Sequence, residues 1–281
     1  MTLSQADFTF VADLVRREAA IVLAPGKEYL VEARLLPVAR KVGQASVAEF
    51  VTNLRRRPDK EGQRLVIDAL TTNETSWFRD REPFAALTGV VLPQLLKTRT
   101  AARKIRIWSA ASSSGQEAYS LAITLQEALP AGWSYEIVGS DISTEMVKRA
   151  SAGEYNQVEV NRGLQATQLV QYFERAGAHW RVVPALRRNV SFRLMNLTTP
   201  LPAMPPFDVI FLRNVLIYFD VETKRTVLRN IARFLRPDGW LFLGAAETTV
   251  GIVDDFSRVA AGRTSAYQLR SAATASTAGK G

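Results

Sequence analysis

Residues 105–117, with the sequence IRIWSAASSSGQE, contain the pattern on which the fold prediction depends. Residues 105–108 form a short apolar run of strand type, and Gln116 and Glu117 open a helical segment. The residues between them are small, so a ligand could approach the backbone, and the helix start offers free N–H groups. The alternative is an ordinary turn from a strand into a helix. Because the loop carries Glu117 where a phosphate would favour a basic residue, the pattern favours a ligand with a cationic part.

The alternation of short apolar strands and helical stretches continues as far as residue 243. It is typical of a mostly parallel sheet with helices on both faces, in which a ligand lies beyond the carboxyl ends of the strands. The sequence therefore predicts an α/β fold with a doubly wound, mostly parallel sheet. Within it, 174–190 is predicted to be either a loop or a small inserted hairpin, and 235–239 a turn. The predicted strands are 105–108, 136–139, 191–194, 207–212 and 240–243, and the predicted helices are 116–129, 144–151, 167–174 and 221–235.

The N-terminal part of the chain has a different pattern. Residues 1–70 show helical spacing of apolar side chains throughout, and Ser4 and Ser46 occupy positions typical of helix N-caps. We therefore predict a small all-helical N-terminal domain before the sheet. The domain boundaries are predicted as 1–70 for the helical domain, 71–97 for a linker, 98–270 for the sheet domain and 271–281 for a disordered tail.

The composition excludes several kinds of site. The 281 residues include no cysteine, which removes disulfides, thiolate metal ligands and cysteine nucleophiles. His179 is the only histidine, so neither a catalytic triad nor a metal site with several histidines is expected. We expect chemistry with little acid–base or metal machinery, such as transfer of an already activated group. The net charge of +9 suits an anionic partner, or solubility alone.

The sequence also predicts where the protein is found. No apolar run approaches the ~20 residues that a membrane helix needs. The first seven residues are polar and of mixed charge, unlike a secretory signal. We therefore expect a cytoplasmic location without direct membrane insertion.

Acidic and amide side chains follow several of the predicted strands. Asp141 ends the second strand, where an acidic residue can bind the ribose hydroxyls of a nucleoside, although a helix cap is the alternative. Asn196 and Leu197 follow the third strand, and Arg213 and Asn214 follow the fourth. In a sheet of this kind, these strand ends are where a ligand site is expected.

Four longer motifs occur in order along the chain. They are 72–79 (TNETSWFR), 108–121 (WSAASSSGQEAYSL), 139–142 (GSDI) and 207–220 (FDVIFLRNVLIYFD), and 244–247 (GAAE) is a weaker fifth. Together with the helical N-terminal domain they resemble the chemotaxis-receptor glutamate methyltransferases, the CheR family, over nearly the whole chain. The sequence departs from that family at Ala118, where proline is frequent, and at Pro37, which would kink what should be the second helix.

The resemblance implies an S-adenosylmethionine-dependent protein-glutamate O-methyltransferase that acts in sensory adaptation, a form of signal transduction. Its products would be glutamate methyl esters and S-adenosylhomocysteine, and residues 71–97 would contribute to the active site. The resemblance also implies a sheet of the S-adenosylmethionine-dependent methyltransferase type. It makes Arg79 and Tyr218 candidate catalytic residues. The implied cofactor-binding residues are Asn73, Thr75, Arg79, Glu117, Asp141, Asn196, Leu197, Arg213 and Asn214.

This chemistry agrees with a chain that has one histidine. A glutamate side chain is ionised at neutral pH, with a reference pKa of about 4.3, so it needs no general base to attack a methyl group. The planar guanidinium of Arg79 suits bidentate binding of a carboxylate, the alternative being a surface arginine. Tyr218 could donate to the same carboxylate or pack against the methyl donor, the alternative being a core aromatic.

The implied partner is the cytoplasmic domain of a methyl-accepting chemotaxis receptor, whose methylated helices carry many glutamates. Arg34 and Lys41 lie seven residues apart, about two helical turns, and Arg40 is adjacent. These three residues are therefore candidates for substrate binding, the alternative being a solvated helix face. We expect a monomer that binds no nucleic acid.

Two other functions stay open at this point. The chain could methylate another substrate, such as an RNA, which the basic net charge would suit. It could also be a regulator that binds S-adenosylmethionine without turnover.

Overall fold

The structure is a computed structural model that describes residues 3–270. The chain divides into two compact units. The helical unit comprises the residues up to Thr72 together with Tyr218–Thr223, and the sheet unit comprises Asn73–Ile217 and the residues from Lys224 onward. Residues 271–281, the predicted disordered tail, lie outside the described residues. Within 3–270, every helix is too short or too polar to cross a lipid bilayer.

Between residues 3 and 72 the chain is helical, as predicted. Ser4 and Ser46, the two predicted caps, each accept a hydrogen bond at 3.1 Å from the backbone N–H three residues later. Asp59 caps the fourth helix in the same way at 2.7 Å. The helices are α1 Gln5–Ala19, α2 Glu28–Lys41, α3 Val47–Arg56 and α4 Lys60–Leu70.

Helix α2 does not stop at Pro37. Val31, Leu35 and Ala39 form its buried stripe at intervals of four residues, and Pro37 lies on its exposed side. The carbonyl that loses its partner at a proline belongs to the residue four positions earlier, here Ala33. Because Ala33 is exposed, water can satisfy that carbonyl, and the helix continues to Lys41.

The sheet unit alternates strands and helices along its length. Its helices are α5 Glu82–Ala86, α6 Leu92–Thr98, α7 Gln116–Ala128, α8 Thr144–Ala152, α9 Gln157–Asn161, α10 Ala166–Tyr172, α11 Pro184–Arg187 and α12 Val221–Ala232. A π-helical turn, Leu87–Val91, joins α5 to α6, and a short 3₁₀ helix spans Leu216–Tyr218. The strands are β1 Lys104–Ala110, β2 Ser134–Asp141, β3 Glu154–Tyr155, β4 Phe173–Ala176, β5 His179–Val182, β6 Val190–Leu194, β7 Phe207–Leu212, β8 Leu235–Leu243, β9 Phe256–Ala261 and β10 Thr264–Leu269.

The main sheet has the order β6-β2-β1-β7-β8-β10-β9. Strands β6, β2, β1, β7 and β8 are parallel, and β10 and β9 form an antiparallel edge. The chain starts in the middle at β1, builds one side through β2 and β6, and returns to build the other side from β7. This arrangement confirms the predicted doubly wound, mostly parallel sheet, and it places the carboxyl ends of β1, β2 and β7 at one edge.

The terminal hairpin of β9 and β10 was not predicted. Its strands lie at the sheet edge and bury only part of their side chains, so the sequence lacks both a continuous apolar run and a clean alternation. An edge hairpin of this kind leaves little periodic signal.

Residues 174–190, predicted to be either a loop or a small inserted hairpin, contain a hairpin. Strands β4 and β5 form that hairpin, and β3 pairs with β5 to complete a separate three-stranded sheet. Gly177, in the turn, has a φ of +62°, which glycine tolerates well. The preceding helix ends at Tyr172 rather than at 174, because Phe173 is extended and pairs with Val182.

Residues 235–239 belong to β8, so the prediction that they form a turn before the strand was wrong. Leu235 pairs with Phe207, and Trp240 pairs with Val209. The residues between these two pairs on β8 outnumber those on β7, so the Pro-Asp-Gly sequence forms an irregularity within the strand.

The apolar core of the sheet unit lies between the sheet and its helices. Residues from β1, α7 and β7 contribute to it, and so do α5, the π-helical turn and α6. The last three elements fall in the stretch predicted to be a linker. Their buried core side chains are Phe84, Leu87, Val91, Leu92 and Leu95.

A buried carboxylate ties the beginnings of the strands together. Asp208, 1 % exposed, accepts from Arg99 Nε at 2.6 Å and from the backbone N–H of Arg106 at 2.7 Å, and Arg236 Nε lies 3.1 Å away. Arg99 also pairs with Asp238, whose side chain is 48 % exposed. The hydrogen bond from Arg99 holds the pKa of the Asp238 carboxyl below its usual value.

We expect Asp208→Asn to lower the free energy of unfolding by about 3 kcal/mol, because it removes the buried negative charge that Arg99 and Arg236 share and places an amide NH₂ group opposite existing donors. Asp238→Asn is the matched control, and its exposed pair should cost about 1 kcal/mol or less. Urea unfolding of both variants measures the difference. Equal losses for the two variants would contradict a special role for the buried carboxylate.

Candidate active site

The loop after β1 is held in a fixed conformation at the carboxyl edge of the sheet. Ala111, Ser113 and Gly115 all have positive φ, with values of 60°, 49° and 95°. The buried hydroxyl of Tyr155 donates to the carbonyl of Ser114 at 2.8 Å. Burial raises the pKa of Tyr155 well above its ordinary value, so this hydroxyl stays protonated and keeps donating. The bare loop is therefore preorganised rather than flexible.

Asp141 joins the loops that follow β1 and β2. One carboxylate oxygen accepts the N–H of Ser113 at 2.8 Å, and the other accepts the N–H of Ser143 at 2.9 Å. The residue is 7 % exposed. The backbone N–H of Met195, just after β6, donates to the Asp141 carbonyl at 2.8 Å. Thus the ends of three strands meet at Asp141. The cap of the following helix α8 is Ser143, whose side chain accepts from the N–H of Met146 at 3.2 Å, so the helix-cap alternative for Asp141 was wrong.

Glu117 connects the first loop to β7. Its carboxylate accepts from the hydroxyl of Ser109 at 2.7 Å and from Arg213 Nη1 at 2.9 Å. The side chains of Arg213 and Glu117 are 1 % and 12 % exposed, so this is a largely buried ion pair. The two candidates, singled out from different strand ends, lie in direct contact.

Arg213 also fixes the segment that carries Arg79. Its Nη2 donates to the carbonyl of Arg79 at 2.9 Å and to the carboxylate of Asp80 at 2.6 Å. The N–H of Phe78 donates to the hydroxyl of Ser120 on α7 at 3.0 Å. The backbone around Arg79 is therefore anchored to α7 and to the end of β7.

The anchored segment has an unusual backbone. Phe78, Asp80 and Arg81 have φ values of 48°, 65° and 41°, in the left-handed region that non-glycine residues rarely adopt. The guanidinium of Arg79 is partly exposed, and its Nη1 donates to the carbonyl of Glu74 at 3.0 Å. Strained backbone of this kind is typical of functional sites. An open depression of about 600 Å³ lies beside it, lined by residues 76–82, Arg162 and Gly163.

The other implied cofactor residues lie on neighbouring loops of the sheet unit. The carbonyl of Asn73 accepts from the hydroxyl of Ser113 at 2.8 Å, and Thr75 follows in the same extended segment. The side-chain oxygen of Asn196 accepts from the backbone and hydroxyl of Thr198 at 3.0 and 2.8 Å. Leu197 is 6 % exposed.

Two groups of predicted residues belong to the helical unit rather than to the sheet unit. Tyr218 ends the 3₁₀ helix Leu216–Tyr218 and groups with the helical unit, as do Arg34, Arg40 and Lys41. Arg40 and Lys41 are exposed at the end of α2. Arg34 instead donates from Nη1 to the carbonyl of Leu70 at 2.9 Å, at the end of α4. The roles predicted for these residues stay predictions.

Glu247, which lies just beyond β8, was not among the predicted site residues. Its carboxylate accepts hydrogen bonds from backbone N–H groups of the loop that starts with Asn214. The sequence offered a signal for it, since Glu247 is an acid close to a strand end, like Asp141. It is the last residue of the weaker fifth motif, 244–247.

Comparison with known proteins agrees with this geometry. Residues 73–264 match the model of the CheR methyltransferase, SAM binding domain, and residues 6–71 match the CheR methyltransferase, all-alpha domain. The chain is 41% identical over 268 residues to chemotaxis protein methyltransferase 1 of Pseudomonas aeruginosa, covering 92% of this chain and 96% of that protein. It is 38% identical over 278 residues to the chemotaxis protein methyltransferase of Vibrio parahaemolyticus, covering 96% and 99%. The chain therefore belongs to the CheR family of S-adenosylmethionine-dependent methyltransferases.

Proposed function

We propose that this protein transfers the methyl group of S-adenosylmethionine to glutamate side chains on the cytoplasmic domains of chemotaxis receptors. The observation that carries the proposal is the anchoring of Arg79. The backbone carbonyl of Arg79 accepts from Arg213, and Arg213 also pairs with Glu117 beside the cofactor loop. The backbone of Arg79 is therefore fixed, while its guanidinium stays partly exposed. A carboxylate substrate and a sulfonium donor could be held side by side by such an arrangement. The relatives are named chemotaxis protein methyltransferases, which supports methylation in chemotaxis.

The residues at the strand ends fit the cofactor. The small side chains of the loop after β1 leave its backbone open to an adenosine group, and Asp141 is suited to accept hydrogen bonds from ribose hydroxyls. Glu117 and Asp80 both pair with Arg213, so these three side chains together carry one net negative charge beside the loop, which favours a cationic ligand. Asn73, Thr75, Asn196, Leu197, Arg213 and Asn214 complete the proposed cofactor site.

The chain needs little acid–base chemistry for this reaction. When bound, S-adenosylmethionine supplies a methyl group on a positively charged sulfur, and its displacement by a glutamate oxygen gives the methyl ester and S-adenosylhomocysteine. The substrate carboxylate is already ionised, so no residue has to remove a proton. The protein contributes by positioning and by electrostatics.

Arg79 is proposed to orient the substrate carboxylate. Its fork of N–H donors can bind two oxygens at once, which fixes the plane of the carboxylate. Very tight binding of the ground state would slow transfer, so orientation is the useful contribution. Tyr218 is proposed to assist at the same carboxylate.

We expect Arg79→Ala to lower turnover on receptor glutamates at least about tenfold, equivalent to about 1.4 kcal/mol, because the carboxylate loses its orientation. The affinity for S-adenosylmethionine should change much less. Arg81→Ala, in the same loop, is the matched control. Transfer of labelled methyl to a receptor cytoplasmic fragment, released as methanol by base, measures turnover. Equal losses of turnover and cofactor affinity would place Arg79 on the cofactor, and cofactor binding without transfer by the wild type would favour a regulator.

We expect Asp141→Ala to weaken S-adenosylmethionine binding by about 1–3 kcal/mol, the cost of losing charge-assisted hydrogen bonds. Asp141→Asn keeps one acceptor oxygen for the loop backbone and should lose less. Titration calorimetry on folded protein measures both affinities. An unchanged affinity for Asp141→Ala would remove this residue from the cofactor site.

The exposed charges at the end of α2 are proposed to bind the acidic receptor helices. Arg34 belongs to the same predicted group, but its guanidinium also contacts Leu70, Thr71 and Thr72 at the end of α4, at 2.9, 3.4 and 3.3 Å. Reversal of its charge would therefore disturb the helical unit as well as any docking. A test of docking should use Arg40 and Lys41.

We expect the double variant Arg40→Glu, Lys41→Glu to raise the receptor KM and to leave cofactor affinity unchanged. The variant Arg16→Glu, Arg17→Glu is the matched control, because it changes the same net charge at two exposed positions in the last turn of α1. The wild-type rate should also fall with added salt, since exposed charges are screened over about 8 Å at physiological ionic strength. A wild-type KM for the α2 variant would show that the receptor is held elsewhere, for example by Arg187 and Arg188.

A further inference from the structure

The carboxylate of Glu247 is surrounded by backbone donors. Its Oε1 accepts from the N–H groups of Val215, Leu216 and Ile217 at 2.8, 2.7 and 3.3 Å. Its Oε2 accepts from the N–H groups of Asn214 and Gly244 at 2.8 and 2.7 Å. Five N–H groups from two strand-end loops therefore converge on one side chain.

This arrangement goes beyond an ordinary helix cap. A capping side chain accepts one or two N–H groups at the start of its own helix. Glu247 is more than 25 positions later in the chain than the loop it binds, and it joins the loop after β7 to the loop after β8. It acts as a bridge between the ends of two adjacent parallel strands.

The surrounding backbone is shaped around the carboxylate. Asn214 has a φ of 57°, in the left-handed region that asparagine adopts more readily than most residues with a side chain. At Gly244, a Cβ atom would lie 2.7 Å from Glu247 Oε2 and 2.8 Å from Asn214 Nδ2. A side chain at position 244 would therefore displace either the carboxylate or Asn214.

We propose that Glu247 is a positioning residue for the cofactor site. It holds the backbone of 214–217 in the conformation that presents Asn214 to S-adenosylmethionine, and it keeps this loop adjacent to Arg213. The inference rests on the proposed function in one respect, the placement of Asn214 in the cofactor site. Glu247 itself does not need to contact the cofactor, because its acceptor oxygens are used by the backbone.

The property that matters is that both terminal oxygens accept hydrogen bonds at the reach of a glutamate side chain. In Glu247→Gln, the amide has nearly the same shape, but only one of its two terminal atoms can accept hydrogen bonds. Its NH₂ group must then face either the N–H groups of Asn214 and Gly244 or the three N–H groups of 215–217. In both orientations donors face donors, and the loop loses part of its support.

The test compares cofactor affinity with turnover. Glu247→Gln is expected to raise the Kd for S-adenosylmethionine at least about tenfold in calorimetry. The receptor KM should stay unchanged, and saturating S-adenosylmethionine should restore most of the turnover. Glu247→Asp keeps the charge on a side chain one methylene shorter, so it should fold more readily and still raise the Kd.

Two controls separate positioning from general destabilisation. Asp208→Asn and Asp238→Asn lower stability by different amounts at the other end of the strands, and both should keep the wild-type Kd in folded protein. A wild-type Kd in folded Glu247→Gln, or a reduced kcat with an unchanged Kd, would overturn the inference. An equal rise in Kd for Asp208→Asn would also overturn it. Asn214→Ala is interpreted separately, because a wild-type Kd for that variant would count against the proposed cofactor site rather than against Glu247.

Discussion

The guanidinium of Arg213 must find acceptors, because an unpaired charge inside a protein is strongly destabilising. Its side chain is 1 % exposed, and its acceptors are the carboxylates of Glu117 and Asp80 and the carbonyl of Arg79. The acceptors come from two separate segments, the start of α7 and the strained loop before α5, and Arg213 itself follows the end of β7. Burial of one charge thus forces the cofactor loop and the segment of Arg79 into a single arrangement.

The strand ends share a second constraint, which is the satisfaction of their backbone N–H groups. Parallel strands end in loops whose donors have no partner in the sheet, and buried donors must be bonded. In this protein carboxylates serve that purpose: Asp141 for the loops after β1 and β2, and Glu247 for those after β7 and β8. Acidic groups therefore accumulate at the edge where a positively charged donor is proposed to bind. The same carboxylates therefore fix the loops and favour a cationic ligand.

The sequence was sufficient to predict elements with strong periodicity and sites next to strong strands. Ile105 and Ile107, both fully buried, identified β1, and from its end Glu117 could be singled out as part of the site. The hairpin of β9 and β10, of which only β9 lies at the sheet edge, could not be predicted, because the partial burial of its strands leaves no regular pattern. Contacts across long sequence distances were equally hidden: nothing local to Glu247 shows that it accepts the N–H of Asn214, and nothing local to Arg34 shows that it contacts Leu70. Such pairings depend on which helices and strand ends the fold brings next to each other.

The anchoring of Arg79 also explains why a strained loop is tolerated. Three non-glycine residues with positive φ cost about 1–3 kcal/mol each, and the loop persists only if its contacts outweigh that cost. Trp77, 1 % exposed and packed edge-on against Tyr155 and Phe173, supplies apolar burial at one end, and Arg213 supplies charged hydrogen bonds at the other. Within residues 3–270, the guanidinium of Arg79 has one hydrogen bond, to the carbonyl of Glu74. The backbone is thus rigid while most of its N–H donors stay available, which is the combination that orientation of an incoming carboxylate requires.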